Sequence, residues 1–85
     1  MTKIKIYTTH YCPHCMRAKG LLAGKGAEFE EIDLSDDDQT REKLREQTGW
    51  MTVPMIFIGE KFIGGADELF ALESSGELDT LLGNT

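Results

Sequence analysis

The 85-residue sequence is poor in cysteine, and its two cysteines, Cys12 and Cys15, lie only three positions apart. A small secreted scaffold held together by disulfides carries four or more cysteines at wide spacings, so the sequence excludes that class. A bridge between these two would close a very short loop and would stabilise the fold by at most about 2 kcal/mol. We therefore expect the cysteines to serve chemistry rather than stability.

Long apolar runs are also absent. The longest apolar stretch, residues 53–58, is far too short to cross a bilayer. The first residues alternate lysine and isoleucine, and they lack the roughly 7–15-residue apolar core of a signal peptide. We therefore expect a cytoplasmic protein that does not associate with membranes. In that compartment a lone pair of neighbouring cysteines is usually redox-active or binds a metal.

Acidic residues are absent from the first 25 positions, although the chain as a whole is acidic. That segment carries five basic residues, whereas the remaining positions carry four basic and fifteen acidic residues, so the net charge is −6. Nucleic-acid binding needs clustered lysine and arginine, and this balance argues against a nucleic-acid partner. The basic segment contains both cysteines, and neighbouring positive charge favours a thiolate. Segregation of charge by chance is the alternative interpretation.

Hydrophobic periodicity predicts the order of the first elements. Residues 3–8 alternate with period two, as a strand does, and helical spacing begins at Pro13, a residue suited to a first helical position. Gly24 and Gly26 end this helix, and residues 28–34 form a second strand. A strand, a helix and a strand within about 34 residues predict a parallel strand pair.

The second half of the chain predicts two more strands and three helices. Ser35 is expected to cap a helix that runs to about residue 48, with Leu44 as its single large apolar residue. Residues 55–58 are continuously apolar, which is typical of a strand buried on both faces. Residues 62–63 return as an antiparallel partner, and two helices follow. We therefore predict one α/β domain over residues 1–85, with the order β-α-β-α-β-β-α and a short C-terminal helix.

The cysteine pair falls where the first strand gives way to the first helix. Cys12 is expected at the helix N-cap, where free backbone N–H groups and the helix dipole stabilise an anion. Cys15 follows one turn later, within reach of a disulfide, and we expect it to be the more buried, resolving partner. Zinc is an alternative, but His10 and His14 crowd all four candidate ligands into six residues, and no second ligand pair exists. Two chemically inert cysteines are the other alternative.

Three motifs together resemble the glutaredoxin family. The sequence contains Cys12-Pro13-His14-Cys15, Thr52-Val53-Pro54 and Gly64-Gly65-Ala66-Asp67 in the order and spacing of that family. The resemblance covers essentially the whole chain and is strongest to the small bacterial dithiol members. It implies a thioredoxin-like α/β fold: a four-stranded mixed sheet of order 2-1-3-4 with helices on both faces.

The resemblance also implies a function, that of a glutathione-dependent thiol–disulfide oxidoreductase. Glutathione would be a co-substrate, with no permanently bound cofactor and no metal. The implied catalytic residues are Cys12, Pro13 and Cys15. The implied glutathione-binding residues are Tyr11, Thr52, Val53, Pro54, Gly65, Ala66 and Asp67. Protein partners would be disulfide-containing or glutathionylated proteins, ribonucleotide reductase among them, and the expected state is a monomer.

The resemblance also implies specific contacts between several of these residues and glutathione. The Val53–Pro54 bond would be cis and would present the Val53 backbone to glutathione as a strand edge. The N–H groups of Ala66 and Asp67 would bind the γ-glutamyl carboxylate, and the Asp67 side chain would meet the ligand's amino group. Without the resemblance, Pro54 merely opens a strand and Asp67 is an ordinary acid at a helix start.

This sequence departs from the family pattern at three places. Thr9 stands where many glutaredoxins have a basic residue for the glycine carboxylate of glutathione. Trp50 and Met51 stand where dithiol members are often polar or basic, and His14 replaces a common tyrosine. Two other functions remain as alternatives: a redoxin reduced by thioredoxin reductase, and a carrier of an iron–sulfur cluster ligated by Cys12 and glutathione.

Overall fold

Four short strands form one mixed sheet. The computed structural model describes residues 3–10 and 12–82. The strands are β1 (Ile4–Thr8), β2 (Glu30–Asp33), β3 (Met55–Ile58) and β4 (Lys61–Gly64). They lie in the order β2-β1-β3-β4; β1 and β2 are parallel, and β3 is antiparallel to both of its neighbours. The strand order implied by the resemblance is confirmed.

Helices cover both faces of this sheet: α1 (Pro13–Gly24), α2 (Asp38–Thr48), α3 (Ala66–Ser75) and α4 (Glu77–Leu81). Three of them, α1, α3 and α4, pack on one face around the larger core. Its buried residues are Ile4, Ile6, Ala18, Leu22, Ile56, Ile58, Ala66, Leu69, Leu78 and Leu82. The predicted layers are therefore confirmed. Within the described ranges, no helix combines the length and the apolar character needed to cross a membrane.

The α2 helix covers the other face by itself. Leu44 is its one buried residue, and it packs with Leu34 and Met55 in a smaller core edged by aromatic side chains. Leu44, which the sequence identifies as the single large apolar residue of this helix, is therefore its one buried contact with the sheet. β3 contributes to both cores because its successive side chains point to opposite faces of the sheet.

The start of α2 differs from the prediction. Asp37, not Ser35, is the N-cap: its carboxylate accepts hydrogen bonds from the Thr40 backbone N–H at 3.1 Å and from the Thr40 hydroxyl at 2.7 Å. The Ser35 hydroxyl instead accepts a hydrogen bond from the His10 backbone N–H at 2.8 Å. Residues 35–38 are all capable caps, and this tertiary contact takes Ser35 away from the helix. It ties the segment leading to Cys12 to the loop after β2.

The topology brings three segments of the chain to one end of the sheet. β1 ends there and leads into α1. Because β3 is antiparallel to β1, its first residue lies at the same end, and because β4 is antiparallel to β3, its last residue does too. Cys12, Pro54 and Gly65 therefore converge, although they are far apart in the sequence.

Candidate active site

Cys12 is the N-cap of α1, as predicted. Its backbone is extended, with φ −148° and ψ 97°, and Pro13 follows at the start of the helix. The Cys12 sulfur accepts a hydrogen bond from the backbone N–H of Cys15, with 3.2 Å between sulfur and nitrogen. No acidic residue lies in the first turn of α1. The N–H groups and the positive end of the helix dipole therefore stabilise negative charge on this sulfur.

Cys15 lies one turn further along α1 and is the more buried of the two. It is 2% exposed, against 8% for Cys12, and both thiols are free. Burial raises the pKa of Cys15 from 9.0 to about 12, and a hydrogen bond with Cys12 adds to the rise. A hydrogen bond with the Thr9 backbone acts in the opposite direction. Cys15 is consequently a protonated thiol at neutral pH, suited to act second.

The bond between Val53 and Pro54 is cis, as the resemblance implied. The Cys12 thiol lies 3.7 Å from the Val53 carbonyl oxygen, to which it donates a hydrogen bond. Pro54 is fully buried, Val53 is half-buried and Thr52 is exposed. The Thr52-Val53 segment thus offers an accessible backbone directly beside the Cys12 sulfur, on which the start of α1 stabilises negative charge.

Two glycines carry the chain from β4 into α3. Gly64 has φ 120°, in the region that favours glycine, and Gly65 is the N-cap of α3. A Cβ atom on Gly65 would lie 3.6 Å from the Pro54 carbonyl oxygen, so this turn passes close to the cis-proline. Ala66 is buried at the first position of the helix, and the Asp67 carboxylate that follows is 82% exposed.

These distances bring three of the sequence motifs into one site. Cys12, Pro13 and Cys15 lie at the start of α1, with the Thr52-Val53-Pro54 segment against Cys12 and the Gly65-Ala66-Asp67 turn against Pro54. Tyr11, which the resemblance assigns to glutathione binding, lies outside the described residues. Across residues 3–10 and 12–82, the His, Cys, Asp and Glu side chains form no cluster of three that could hold a metal ion.

Comparison with known proteins identifies the family. The glutaredoxin family model matches residues 4–63. A glutaredoxin of Pseudomonas aeruginosa is 49% identical over 82 residues, which are 96% of this chain and 98% of that protein. The chain belongs to the glutaredoxin family. Glutaredoxin 3 of Escherichia coli strain K12 is 45% identical over 82 residues, covering 96% of this chain and 99% of that one.

Solved structures agree with this assignment. The crystal structure of a buckwheat glutaredoxin–glutathione complex superposes with a TM-score of 0.92 at 33% identity, covering 96% of this chain and 77% of that one. The solution structure of a Brucella melitensis glutaredoxin is 51% identical with a TM-score of 0.88, covering 99% and 91%. As a glutaredoxin, the protein is a thiol–disulfide oxidoreductase.

Sequence reasoning missed the role of Arg17 in this glutaredoxin. The Arg17 guanidinium lies 4.9 Å from the centre of the Phe70 ring and 3.9 Å from Asp67 Oδ1. It also lies 3.4 Å from Nδ1 of His14, the residue between the cysteines. Arg17 thus joins α1 to the first turn of α3 beside the site. The concentration of basic residues near the cysteines was the one signal that pointed to it.

Trp50, one of the departures from the family pattern, also belongs to the site. Its ring packs edge-on against Phe62 at 5.8 Å, and its Cζ2 atom would lie 3.4 Å from a Cβ on Gly65. Its indole nitrogen is buried and has no hydrogen-bond partner among the described residues. The indole therefore forms an apolar wall behind the glycine turn, whereas the neighbouring Met51 side chain is 66% exposed.

Proposed function

We propose that this glutaredoxin uses glutathione to reduce protein disulfides and mixed disulfides of proteins with glutathione, with Cys12 as nucleophile and Cys15 as resolving thiol. The observation that carries the proposal is the position of the Cys12 sulfur. It lies at the N-terminus of α1, 3.2 Å from a backbone N–H, and it faces the Val53 carbonyl, with Cys15 more deeply buried.

The first reaction needs Cys12 alone. Its thiolate attacks the glutathione sulfur of the mixed disulfide, a new S–S bond forms, and the protein thiolate leaves and takes up a proton from water. A second glutathione thiolate then attacks the glutathione sulfur held on Cys12. This attack releases glutathione disulfide and restores the Cys12 thiolate.

The second reaction needs both cysteines. Cys12 attacks one sulfur of a protein disulfide and forms a mixed disulfide with the protein. Cys15 then loses its proton and attacks the Cys12 sulfur, so that the protein leaves fully reduced and a Cys12–Cys15 disulfide remains. Two glutathione molecules reduce that disulfide and become glutathione disulfide.

Glutathione would lie along the segment between Cys12 and α3. The accessible Thr52-Val53 backbone would pair with the tripeptide as a strand edge does. The first turn of α3, at Ala66 and Asp67, would receive the γ-glutamyl end, because free N–H groups at a helix start attract a carboxylate. Support comes from the buckwheat protein, 33% identical and of the same fold, whose structure was solved as a complex with glutathione.

We place this reaction in the cytoplasm, where a glutathione pool keeps thiols reduced. The test measures reduction of a glutathione mixed disulfide and of a protein disulfide, first with glutathione and glutathione reductase, and then with thioredoxin reductase as the only electron source. Cys12→Ser is expected to lose all turnover, while Cys15→Ser is the matched control that keeps mixed-disulfide reduction and loses protein-disulfide reduction. Substantial turnover by the Cys12→Ser variant, or turnover supported by thioredoxin reductase alone, contradicts the proposal.

A further inference from the structure

The burial of Cys15 disfavours the thiolate form that this residue needs in the resolving step. Its thiol is 2% exposed, and this burial raises its pKa, which the hydrogen bond with Cys12 raises further in the free dithiol. Reduction of a protein disulfide nevertheless requires Cys15 to attack as a thiolate, because the thiol form is a poor nucleophile. Groups that stabilise negative charge at Cys15 therefore control the rate of this second step.

Lys19 is placed to provide such stabilisation. It lies four residues after Cys15 on α1, and residues at this spacing lie on the same face of a helix. Its side chain is 31% exposed, so solvent and salt screen its charge less than they screen a fully exposed ammonium group. Burial raises the pKa of Cys15, and two groups act against it: the hydrogen bond with the Thr9 backbone, which has the larger effect, and the attraction of the Lys19 charge.

The ammonium group of Lys19 is held in place by a short chain of hydrogen bonds. Its Nζ atom lies 2.9 Å from Glu31 Oε2 on β2, and the same oxygen accepts a hydrogen bond from the Thr8 hydroxyl at 2.8 Å. Thr8 is 1% exposed at the end of β1, so this chain is anchored inside the protein. The hydrogen bond from Lys19, followed by that from Thr8, lowers the pKa of Glu31, which is therefore ionised at neutral pH.

We propose that Lys19 is a positioning residue for the resolving step: its ammonium group stabilises the thiolate that develops on Cys15, and Glu31, anchored by Thr8, limits that stabilisation by partly neutralising Lys19. This inference rests on the proposed roles of Cys12 and Cys15. In the step itself, Cys15 gives its proton to solvent and its sulfur bonds to the Cys12 sulfur. The bond from Cys12 to the substrate sulfur breaks, and the departing thiolate takes up a proton from solvent.

The proposal predicts opposite effects for the two partners of the ion pair. Lys19→Met removes the positive charge and is expected to slow the resolving step by about 3- to 10-fold, because a nearby positive charge favours the thiolate form of Cys15. Glu31→Gln keeps a hydrogen-bond acceptor for Thr8 but removes the negative charge, and it is expected to accelerate the step by about 2- to 5-fold. A purely structural role would slow the step in both variants.

The pH profile separates charge from packing. Below the Cys15 pKa, the rate of the resolving step rises with pH, and Lys19→Met should displace this rise to higher pH while Glu31→Gln displaces it to lower pH. Several other titratable or charged groups face this region from α1, β2 and the adjoining segments. They are Cys12, which is uncharged while in the mixed disulfide, and Asp33, whose pKa the Lys19 charge lowers, together with its partner His10. These groups are the same in all variants and do not change the order of the profiles.

The experiment uses the reduced protein and dithiobis(nitrobenzoate), a disulfide that releases a coloured thiol at each exchange. Stopped-flow absorbance resolves a first equivalent, released when Cys12 attacks, and a second, released when Cys15 attacks Cys12. The expected result is an unchanged first phase in every variant, a slower second phase in Lys19→Met, a faster one in Glu31→Gln, and a near-normal one in Lys19→Arg. Lys61→Met on β4 is the matched control, because it removes an exposed lysine from the far edge of the sheet.

The outcomes distinguish a failure of the role proposed for Lys19 from a failure of the roles proposed for Cys12 and Cys15. A second phase of normal rate in Lys19→Met, or one slowed alike in Lys19→Met and Glu31→Gln, overturns the role of Lys19 and leaves the proposed function intact. A second phase that persists in Cys15→Ser contradicts the assignment of the resolving thiol, and the inference fails with it. Equal melting temperatures and equal first phases would show that the variants are folded.

Discussion

The two glycines before α3 permit a quantitative prediction, because an added methyl group meets different surroundings at each. A Cβ on Gly65 would lie 3.3 Å from Glu68 Oε1 and 3.4 Å from Trp50 Cζ2, and the backbone there, with φ −99°, is open to any residue. At Gly64 the Cβ would lie 2.9 Å from Glu68 Cγ, and φ is 120°. At Gly20, within α1, it would meet nothing within 4 Å.

The expected effect of Gly65→Ala is moderate. The Glu68 carboxylate must move, which weakens its 2.9 Å hydrogen bond with the Gly65 N–H, a contribution of about 1 kcal/mol. Reduced entropy of the unfolded chain offsets about 0.4–1 kcal/mol of this loss. The displaced Trp50 ring adds a further packing loss, so we expect the free energy of unfolding to fall by about 0.5–1.5 kcal/mol.

The other two variants bracket that value. Gly64→Ala forces a side chain into a backbone region that only glycine occupies readily, which costs about 1–3 kcal/mol in addition to the clash with Glu68. Gly20→Ala fills open space in a helix and should raise the free energy of unfolding by about 0.5–1 kcal/mol. The predicted order of stability is therefore Gly20→Ala, wild type, Gly65→Ala, Gly64→Ala.

Urea denaturation followed by Trp50 fluorescence measures this series, since Trp50 is the chain's single tryptophan and packs against the turn. Linear extrapolation gives each free energy of unfolding. Gly65→Ala should also raise the KM for the glutathione mixed disulfide several-fold, because it moves the first turn of α3, while Gly20→Ala should leave KM unchanged. A Gly65→Ala protein as stable as wild type with a normal KM would refute the close-approach argument.

Two further predictions concern stability. Because the pKa of Cys15 is raised in the folded protein, from 9.0 to about 12, its contribution to stability is complete below pH 9.0 and is lost as the pH rises towards 12. Urea denaturation at several alkaline pH values should therefore show a shallower loss of stability in Cys15→Ser than in wild type, and identical slopes would refute the raised pKa. Leu44→Ala, which removes the one buried side chain of α2, should destabilise the protein by about 2–4 kcal/mol. Hydrogen exchange should then show α2 losing protection before the sheet, and uniform loss of protection would contradict the separation of the two cores.

The sequence predicts this fold well wherever local pattern and global packing agree. Alternation in β1, the proline at the start of α1 and the apolar run of β3 each indicate one structure, and each is observed. The start of α2 could not be located in the same way, since four successive residues can cap a helix and a contact from His10 selects among them. The cis bond before Pro54 followed from the family resemblance, because cis bonds are uncommon even before proline.

The side-chain networks of the site were the least predictable part. Glu31 lies between Glu30 and Ile32 in the second predicted strand, and this local pattern indicates an outward-facing residue without indicating a partner. The structure places β2 at the edge of the sheet, where Glu31 reaches both Thr8 and Lys19. Likewise, the contact of Trp50 with the glycine turn depends on how β4 follows β3. Such contacts depend on the packing of distant segments, and a single sequence contains no direct record of them.

The uneven distribution of charge along the chain has a different meaning in three dimensions. Three of the five basic residues in the first 25 positions pair with acids from later segments: Lys19 with Glu31, Arg17 with Asp67, and Lys25 with both Glu73 and Asp79. The sequence suggested that the basic segment surrounds the cysteines with free positive charge. These ion pairs show that much of that charge is neutralised. Its effect on the dithiol depends on how completely each pair is neutralised. Glu31 partly neutralises Lys19, and the remaining positive charge of Lys19 acts on Cys15. Substitutions at Glu31 therefore test the influence of charge on Cys15 more directly than any change in the net charge of the protein.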